Sequence, residues 1–502
     1  MKRESHSYDA VIIGAGIGGL ITGAILATKE DWKILVLEQS DVIGGKCYSF
    51  EHFDGDEDTF RNRLLLNARS RLLQSNPPLD HLIKTKTFSS YIFEGGYHAI
   101  QGGDRSRVSF ISAALGADLP VHNSRGVRIY GNGKWNDLRY LMRNWTPDEF
   151  KEGNRISREM ALMSPQEAAC YDHIDLSSYI RSKTRSKNIQ AFHEWVAAYS
   201  VGLNDPGMVS AGEYIRAGLI IQCAGRRFDN GGAGQPVGGY NAMTRLFARL
   251  IEEKGGLIKT GAPVVEILAR DYVAVGVRTA DDDYLSKLII CNVPVQRALT
   301  LLPDDHWPEE HRKQVETKQP LAGIHGWINV KKQLDPEFEG FYIVPPLPGC
   351  RASDGFRGDV TCAFEDLATH DKNRAPDGEG LIAFFAGLLP RNPDEIHNKE
   401  LQNKIINGLF SFFREECPDF DKNVNWYTIL AGEEFYSVST TPGMIGDRFL
   451  PIKHPLVKNL FFTGDSVESW GLGINFAAGS AVRCASAASG KNYSTILPFY
   501  MR

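Results

Sequence analysis

The chain has 502 residues, too many for one hydrophobic core, so two or more domains are expected. A formal net charge of −5 argues against nucleic acid as the main partner. Hydrophobic residues make up 42 %, as in a soluble globular protein, and no run approaches the roughly 18 apolar residues that span a bilayer.

The first residues, Met1 to Ser7, are polar and lead straight into an apolar run, with no signal or transit pattern. A cytoplasmic location is expected, with peripheral membrane contact and oligomer formation left open. The eight cysteines have no C-x-x-C spacing and read as reduced. The thirteen histidines show no metal-ligand spacing, so no metal is expected.

Tyr8 to Ile13 reads as a short buried strand. Gly14, Gly16 and Gly19 make a G-x-G-x-x-G turn into a helix. Lys33 to Leu37 reads as a second strand, and Glu38 follows nineteen residues after Gly19. This is the layout of a dinucleotide-binding βαβ unit. The turn lets the backbone approach a pyrophosphate, and the helix start offers N–H groups to it. Glu38 suits ribose hydroxyls, and its charge would repel a 2′-phosphate.

Gly44-Gly45-Lys46 follows. A polar stretch runs from about Glu51 to Lys86, with a short helix expected near Arg61–Leu66, then a strand-like run from Tyr91 to His98. Residues 105–235 read mainly as helix, with apolar residues at helical spacing in Ser109–Leu115, Ile189–Val201 and Gly212–Cys223, the last running to Arg226-Arg227. After a turn at Pro236–Tyr240, Met243, Leu246, Phe247, Leu250 and Ile251 form one helical stripe, stopped by Gly255-Gly256. Strands are expected at Leu257–Thr260, Val264–Leu268, Val273–Arg278 and Leu285–Cys291. Residues 305–440 alternate strands (Gly323–Val330, Gly340–Val344, Leu381–Ala386) with an amphipathic helix at Lys399–Glu416. The end holds a strand at Leu460–Thr463, then Gly464-Asp465, then Gly471-Leu-Gly-Ile474 opening a small-residue helix through Ala488. Nucleotide-type segments at both ends and in the middle imply two interleaved domains.

Five blocks in this order resemble the FAD-dependent flavin amine oxidases and the carotenoid-type (phytoene) desaturases. They are Gly14–Gly19; Glu38 with Gly44–Lys46; Phe93-Glu-Gly-Gly-Tyr-His98; Gly238-Gly239-Tyr240 with its helix and Gly261–Val264; and Phe462–Asp465 with Gly471–Ile474. The resemblance implies an α/β fold. A Rossmann-type FAD-binding domain, with the topology of p-hydroxybenzoate hydroxylase and the amine oxidases, is interleaved with a mixed α+β substrate domain. The FAD-binding domain would comprise 1–104, 236–304 and 441–502, and the substrate domain 105–235 and 305–440. It implies that Glu38 holds the adenosine ribose and that Gly44, Gly45 and Lys46 lie along the pyrophosphate and ribityl chain. Val264 would pair with the adenine edge through its backbone. Gly464 and Asp465 would meet the ribityl and phosphate groups. Gly473, Ile474 and Asn475 would begin a helix aimed at the flavin C2 carbonyl, where its dipole favours negative charge on the reduced ring.

Within that superfamily the features divide. Amine oxidases usually carry a lysine beside the flavin on the strand matching Leu321–Val330, and His325 stands there instead. They also place two aromatic walls over the flavin, of which Trp470 supplies at most one. The block Phe93–His98, Ala375-Pro-Asp-Gly378 and Thr441–Gly446 look like the desaturase and retinol-saturase branch. The roughly 40-residue insertion between Lys46 and Tyr91 departs from the family and could shape an entrance or a subunit contact.

The expected activity is hydride transfer between FAD and a C–C bond of a small apolar or alicyclic, isoprenoid-like substrate. An amine or amino-acid oxidase releasing peroxide is the alternative, and an FAD protein with a redox-neutral or structural role is a third. The direction of transfer and the electron acceptor (oxygen, a quinone or a nicotinamide) stay open. His98, Trp470, His325 and Tyr240 are the candidate catalytic residues. Each has a plainer reading, His98 as a ring satisfying backbone groups, Trp470 as packing at the domain junction, and His325 and Tyr240 as core residues.

Overall fold

The computed structural model describes residues 8–66, 69–200, 207–223, 232–335, 337–344, 361–388, 396–417, 419–446 and 449–502, with side chains of 66, 198–200, 221–223 and 387–388 excepted. Arg226 and Arg227 lie outside these.

The nucleotide side is built on a parallel sheet. Strand Tyr8–Ile13 pairs in parallel with Ile34–Leu37 on one side and Asp283–Cys291 on the other. Leu257–Lys259 extends the first edge and Leu460–Phe462 the second. Tyr8–Ile13, Ile34–Leu37 and Leu460–Phe462 are almost wholly buried, which is why they read as unbroken apolar runs rather than alternating ones. The register aligns Ile13 with Leu37 and Cys291, and Cys291 with Phe462. Four strand ends therefore stop at one level, and the site opens beyond them, as ligand sites do on parallel sheets. Helices Ile17–Glu30 and Gly473–Ser489 pack against each other above this sheet. Val264–Arg270 and Val273–Thr279 join it as an antiparallel meander.

The second sheet has eight strands, in the order Ser70–Asn76, Val424–Tyr436, Leu321–Val330, Gly380–Leu388, Cys362–Asp366, Phe341–Val344, Val127–Gly131 and Lys134–Asn136. One face, with Ile324, Ile328 and Phe384, is covered by Leu401, Ile405 and Leu409 of helix Lys399–Glu416. The other carries His325, Trp327 and Ala383; the last two pack against Phe93 and the 50–88 aromatics.

Two differences from the sequence reading matter. Residues 105–235 hold four strands besides their helices: Val121–Asn123, Val127–Gly131, Lys134–Asn136 and Ala233–Pro236. The middle pair is a hairpin turned by Asn132 (φ 54°) and Gly133 (φ 69°), the Asn-Gly type I′ signature that the helical spacing around it overshadowed. The insertion after Lys46 is a structural part of the second sheet. Its strand Ser70–Asn76 pairs with Val424–Tyr436. Phe50, Phe53, Phe60 and Phe88 form an aromatic core with Phe93 and Trp426. Segment 1–104 thus contributes to both sheets. Among the described residues no helix is long and apolar enough to cross a membrane.

Candidate FAD and active site

A cavity of about 630 Å³ opens beyond the aligned strand ends. Its walls include Gly14, Gly16, Glu38, Gly44, Gly45 and Lys46 on one side, and Val264, Gly464, Asp465, Gly473, Ile474 and His98 elsewhere. The sequence singled out all of these.

The glycine turn shows why its spacing matters. Gly14 has φ +96°, a conformation costly for any side chain, and its N–H donates to Leu37 O at 2.8 Å. A Cβ on Gly19 would sit 2.4 Å from Gly14 O, so Gly19 is set by close packing and not by lining the cavity. Asn292, just past strand Asp283–Cys291, donates to Gly14 O at 3.1 Å and lines the same wall. The sequence reading missed it, because nothing local marks an asparagine at a strand end.

Glu38 is 7 % exposed and accepts from Ala15 N at 2.7 Å and Ser40 N at 2.9 Å. Burial pushes its pKa up against those donors. The Lys46 ammonium meets Asp465 Oδ2 at 3.0 Å, Glu434 Oε1 at 3.2 Å and Ser437 Oγ at 2.7 Å. Burial works against both charges of the central pair, but each partner outweighs it, so Lys46 is raised and Asp465 falls below the usual carboxylate range. The lysine charge expected to neutralise phosphate is thus already faced by two protein carboxylates. Glu434 had no sequence signal, since only strand pairing brings it to the cavity.

Two long helices start at this cavity without a capping side chain: Ile17–Glu30 after Gly16, and Gly473–Ser489 after Leu472. Helices starting at Arg107, Pro147, Pro165, Leu176 and Lys399 are capped by side chains, while Tyr240–Glu252, which does not line the cavity, is not. The first-turn N–H groups of Ile17–Glu30 and Gly473–Ser489 that no side chain takes form a cradle for anionic and carbonyl groups, and with Glu38 they fit a dinucleotide such as FAD.

The candidate catalytic residues separate. His98 lines the cavity, and its Nε2 lies 2.7 Å from Lys46 O. A carbonyl only accepts, so Nε2 carries the hydrogen. Burial lowers the ring's pKa, which keeps it neutral at pH 7. Tyr240 is fully buried against His98, ring centroids 5.2 Å apart, with its hydroxyl unpartnered among the described residues. His325 lies behind the wall residue Phe435, 4.8 Å away, with Nε2 3.2 Å from Ser70 Oγ. Burial pushes its pKa down to about 3. Trp470 stacks under Arg107 at 3.7 Å. Tyr240, His325 and Trp470 are not among the cavity's lining residues, and neither is Asn475, whose side chain accepts from Arg107 N and donates to Gln101 O. Among the described residues no group of side chains could hold a metal ion.

Residues 17–489 match the family of flavin-containing amine oxidoreductases. The chain belongs to that family. It is an FAD-dependent oxidoreductase, as the resemblance implied. It is 23 % identical to flavin-containing amine oxidase A of Canis lupus familiaris, over 93 % of this chain and 82 % of that one. It is also 23 % identical to the chloroplastic prolycopene isomerase 2 of an Oncidium hybrid cultivar, over 80 % and 68 %. An oxidoreductase from Methanosarcina mazei shares its fold, with a TM-score of 0.69 at 17 % identity over 94 % of this chain and 99 % of that one. The matches thus cover the amine-oxidase and carotenoid branches alike.

Proposed function

We propose that this oxidoreductase transfers hydride between FAD and a C–C bond of an apolar or alicyclic substrate, as desaturases and saturases do. Bound FAD supplies the chemistry, taking a hydride from a C–H bond or returning one to a C=C bond. Glu38 would hold the adenosine ribose, the uncapped start of Ile17–Glu30 the pyrophosphate, and Asp465 with Lys46 the ribityl chain. The uncapped start of Gly473–Ser489 would face the flavin edge and favour negative charge there. His98 donates from Nε2 to Lys46 O and so positions the Gly44–Lys46 loop, leaving Nδ1 as its one proton acceptor.

The observation that carries this reading is His325. The resemblance sets it at the strand position where the amine-oxidase branch has lysine, and its ring is neutral and buried among aromatics. Phe435 lines the cavity in front of it and is backed by uncharged rings, with Phe385 4.8 Å from Phe435 and stacked on Tyr97 at 6.1 Å. Such a wall suits an apolar carbon skeleton. The same rings support the second reading, because aromatic faces also attract ammonium groups. The test is anaerobic bleaching of the oxidised flavin band by isoprenoid, steroid and cyclic-acid compounds, against amines and amino acids. Bleaching by the carbon compounds alone supports the proposal. Bleaching by amines, with peroxide released in air, replaces it with the oxidase reading. Retained flavin that nothing bleaches favours a redox-neutral role.

A further inference from the structure

The loop that leads into helix Gly473–Ser489 is held from behind by two buried charged residues that neither the sequence nor the family assignment singles out. Arg107 is 1 % exposed and Glu213 is 0 % exposed. Both grip one peptide unit. Arg107 Nη1 donates to Trp470 O at 2.5 Å, and Gly471 N donates to Glu213 Oε1 at 2.7 Å. The carbonyl and the N–H of the Trp470–Gly471 bond are thus both taken by ionic side chains, which fixes the plane of that peptide.

The grip extends into the helix. Arg107 Nη1 also donates to Asn475 O at 3.0 Å, Arg107 N donates to Asn475 Oδ1 at 2.9 Å, and Nε donates to Met501 O at 3.0 Å. Gly471 and Gly479 leave room for the guanidinium, since a Cβ on them would lie 3.2 and 2.8 Å from Nη1. Gly471 has φ +96°, so the turn also depends on its glycine. Glu213 is held in turn by Arg216, which also bridges to Asp172. Gly473 and Ile474, two and three residues beyond the gripped peptide, line the cavity.

We propose that Arg107 and Glu213 are positioning residues of opposite charge that set the N-terminal turn of helix Gly473–Ser489 against the flavin, and through it the balance between reduced and oxidised FAD. The inference rests on FAD occupying the cavity and is independent of the substrate. Among the described residues Arg107 bonds to three carbonyls and not to a carboxylate, so its charge is spent on the backbone it holds. Burial pulls its pKa down to about 9, which still leaves it charged at neutral pH. A cation at that place adds to the positive end of the helix, and an anion subtracts from it, in surroundings where screening is weak. Arg216, Asp172 and Arg483 are the other charged groups that bear on the pair, and they stay in place in the variants below.

The experiment measures the flavin midpoint potential by dye equilibration in purified holoprotein, with FAD content and melting temperature in parallel. Arg107→Gln should lower the potential, by at least about a tenfold loss in preference for the reduced cofactor. Arg107→Lys should recover part of that loss. Glu213→Gln, which keeps an acceptor for Gly471 N, should raise the potential. Opposite shifts support the proposal. Unchanged potentials, or shifts of the same sign accompanied by lower melting temperatures, would overturn it and leave the pair as packing. If Arg107→Gln does not fold, Arg107→Lys and Glu213→Gln still decide by sign. A wild type that carries no FAD would overturn the cofactor assignment itself, a failure distinct from unchanged potentials in an FAD-loaded protein.

Discussion

The two sheets solve different problems. The parallel sheet ends in a site made largely of backbone: glycines at Gly14, Gly16 and Gly464 and the starts of two long uncapped helices, with the carboxylates of Glu38 and Asp465 beside them. The eight-stranded sheet offers side chains instead: Glu434 and Phe435 from its longest strand, with His325 and Phe385 behind them. A backbone site tolerates little change in spacing, because each atom belongs to a turn. A side-chain wall is free to change chemistry while its strands stay paired. The comparison predicts that cofactor binding is fragile on the first side, and that substrate choice is adjustable on the second.

The strongest test of the first half is Gly19→Val. A Cβ at Gly19 meets the carbonyl of Gly14, and backbone cannot swing aside as a side-chain tip does. We expect FAD affinity to fall by at least about a hundredfold in a titration of the apoprotein, nearly 3 kcal/mol. Retained affinity would break the comparison. Next comes Lys46→Met, which leaves Asp465 and Glu434 facing each other without their cation. The ammonium is a quarter exposed, so we expect a loss of about 2–3 kcal/mol in urea unfolding, less than for a fully buried pair. Adding Glu434→Gln should recover part of it. Glu38→Gln sharpens the same half with a smaller effect. It turns one acceptor into a donor opposite an N–H, either Ala15 N or Ser40 N. The expected cost is about 1.4 kcal/mol, or tenfold in FAD affinity.

The contrast also explains what the sequence disclosed. The dinucleotide unit was legible because its parts are close in the chain: glycines a few residues apart, an acid at the end of the next strand, and a steric reason for each. Helix Lys399–Glu416 was legible from its amphipathic pattern, and Asn398 caps it in the structure. The wall was not. Glu434 reaches Lys46 across 388 residues, and Arg107 reaches Trp470 across 363, through tertiary packing that no local pattern encodes. Strand Ser70–Asn76 was read as part of an irregular insertion because its Ser-Arg-Leu-Leu-Gln-Ser-Asn sequence lacks the alternation of a half-buried strand. His325 was legible as a position and not as a role, because its neutrality comes from burial, which one sequence does not display.

The effect that is smallest near neutral pH concerns that neutrality, and acidity reveals it. His325 has a folded-state pKa of about 3, against an ordinary value of 6.5. The unfolded chain therefore binds a proton in that window and the folded chain does not, so folding loses stability as the pH falls below about 6.5 and regains it above. At pH 6 the loss from this ring is about 0.8 kcal/mol, and it grows by about 1.4 kcal/mol for each further pH unit until the pH nears 3. His325→Phe removes the titrating group while keeping a planar ring beside Phe435 and Trp327. It forfeits the contact to Ser70, which costs stability equally at every pH. The melting temperatures of the two proteins should thus differ by one offset above pH 7 and converge as the pH drops to 5. Parallel curves would mean that the ring takes up its proton in the folded protein as readily as in the unfolded chain, near the ordinary 6.5. Burial would then not be what keeps it neutral, and the proposed distinction from the lysine-bearing branch would lose its physical basis.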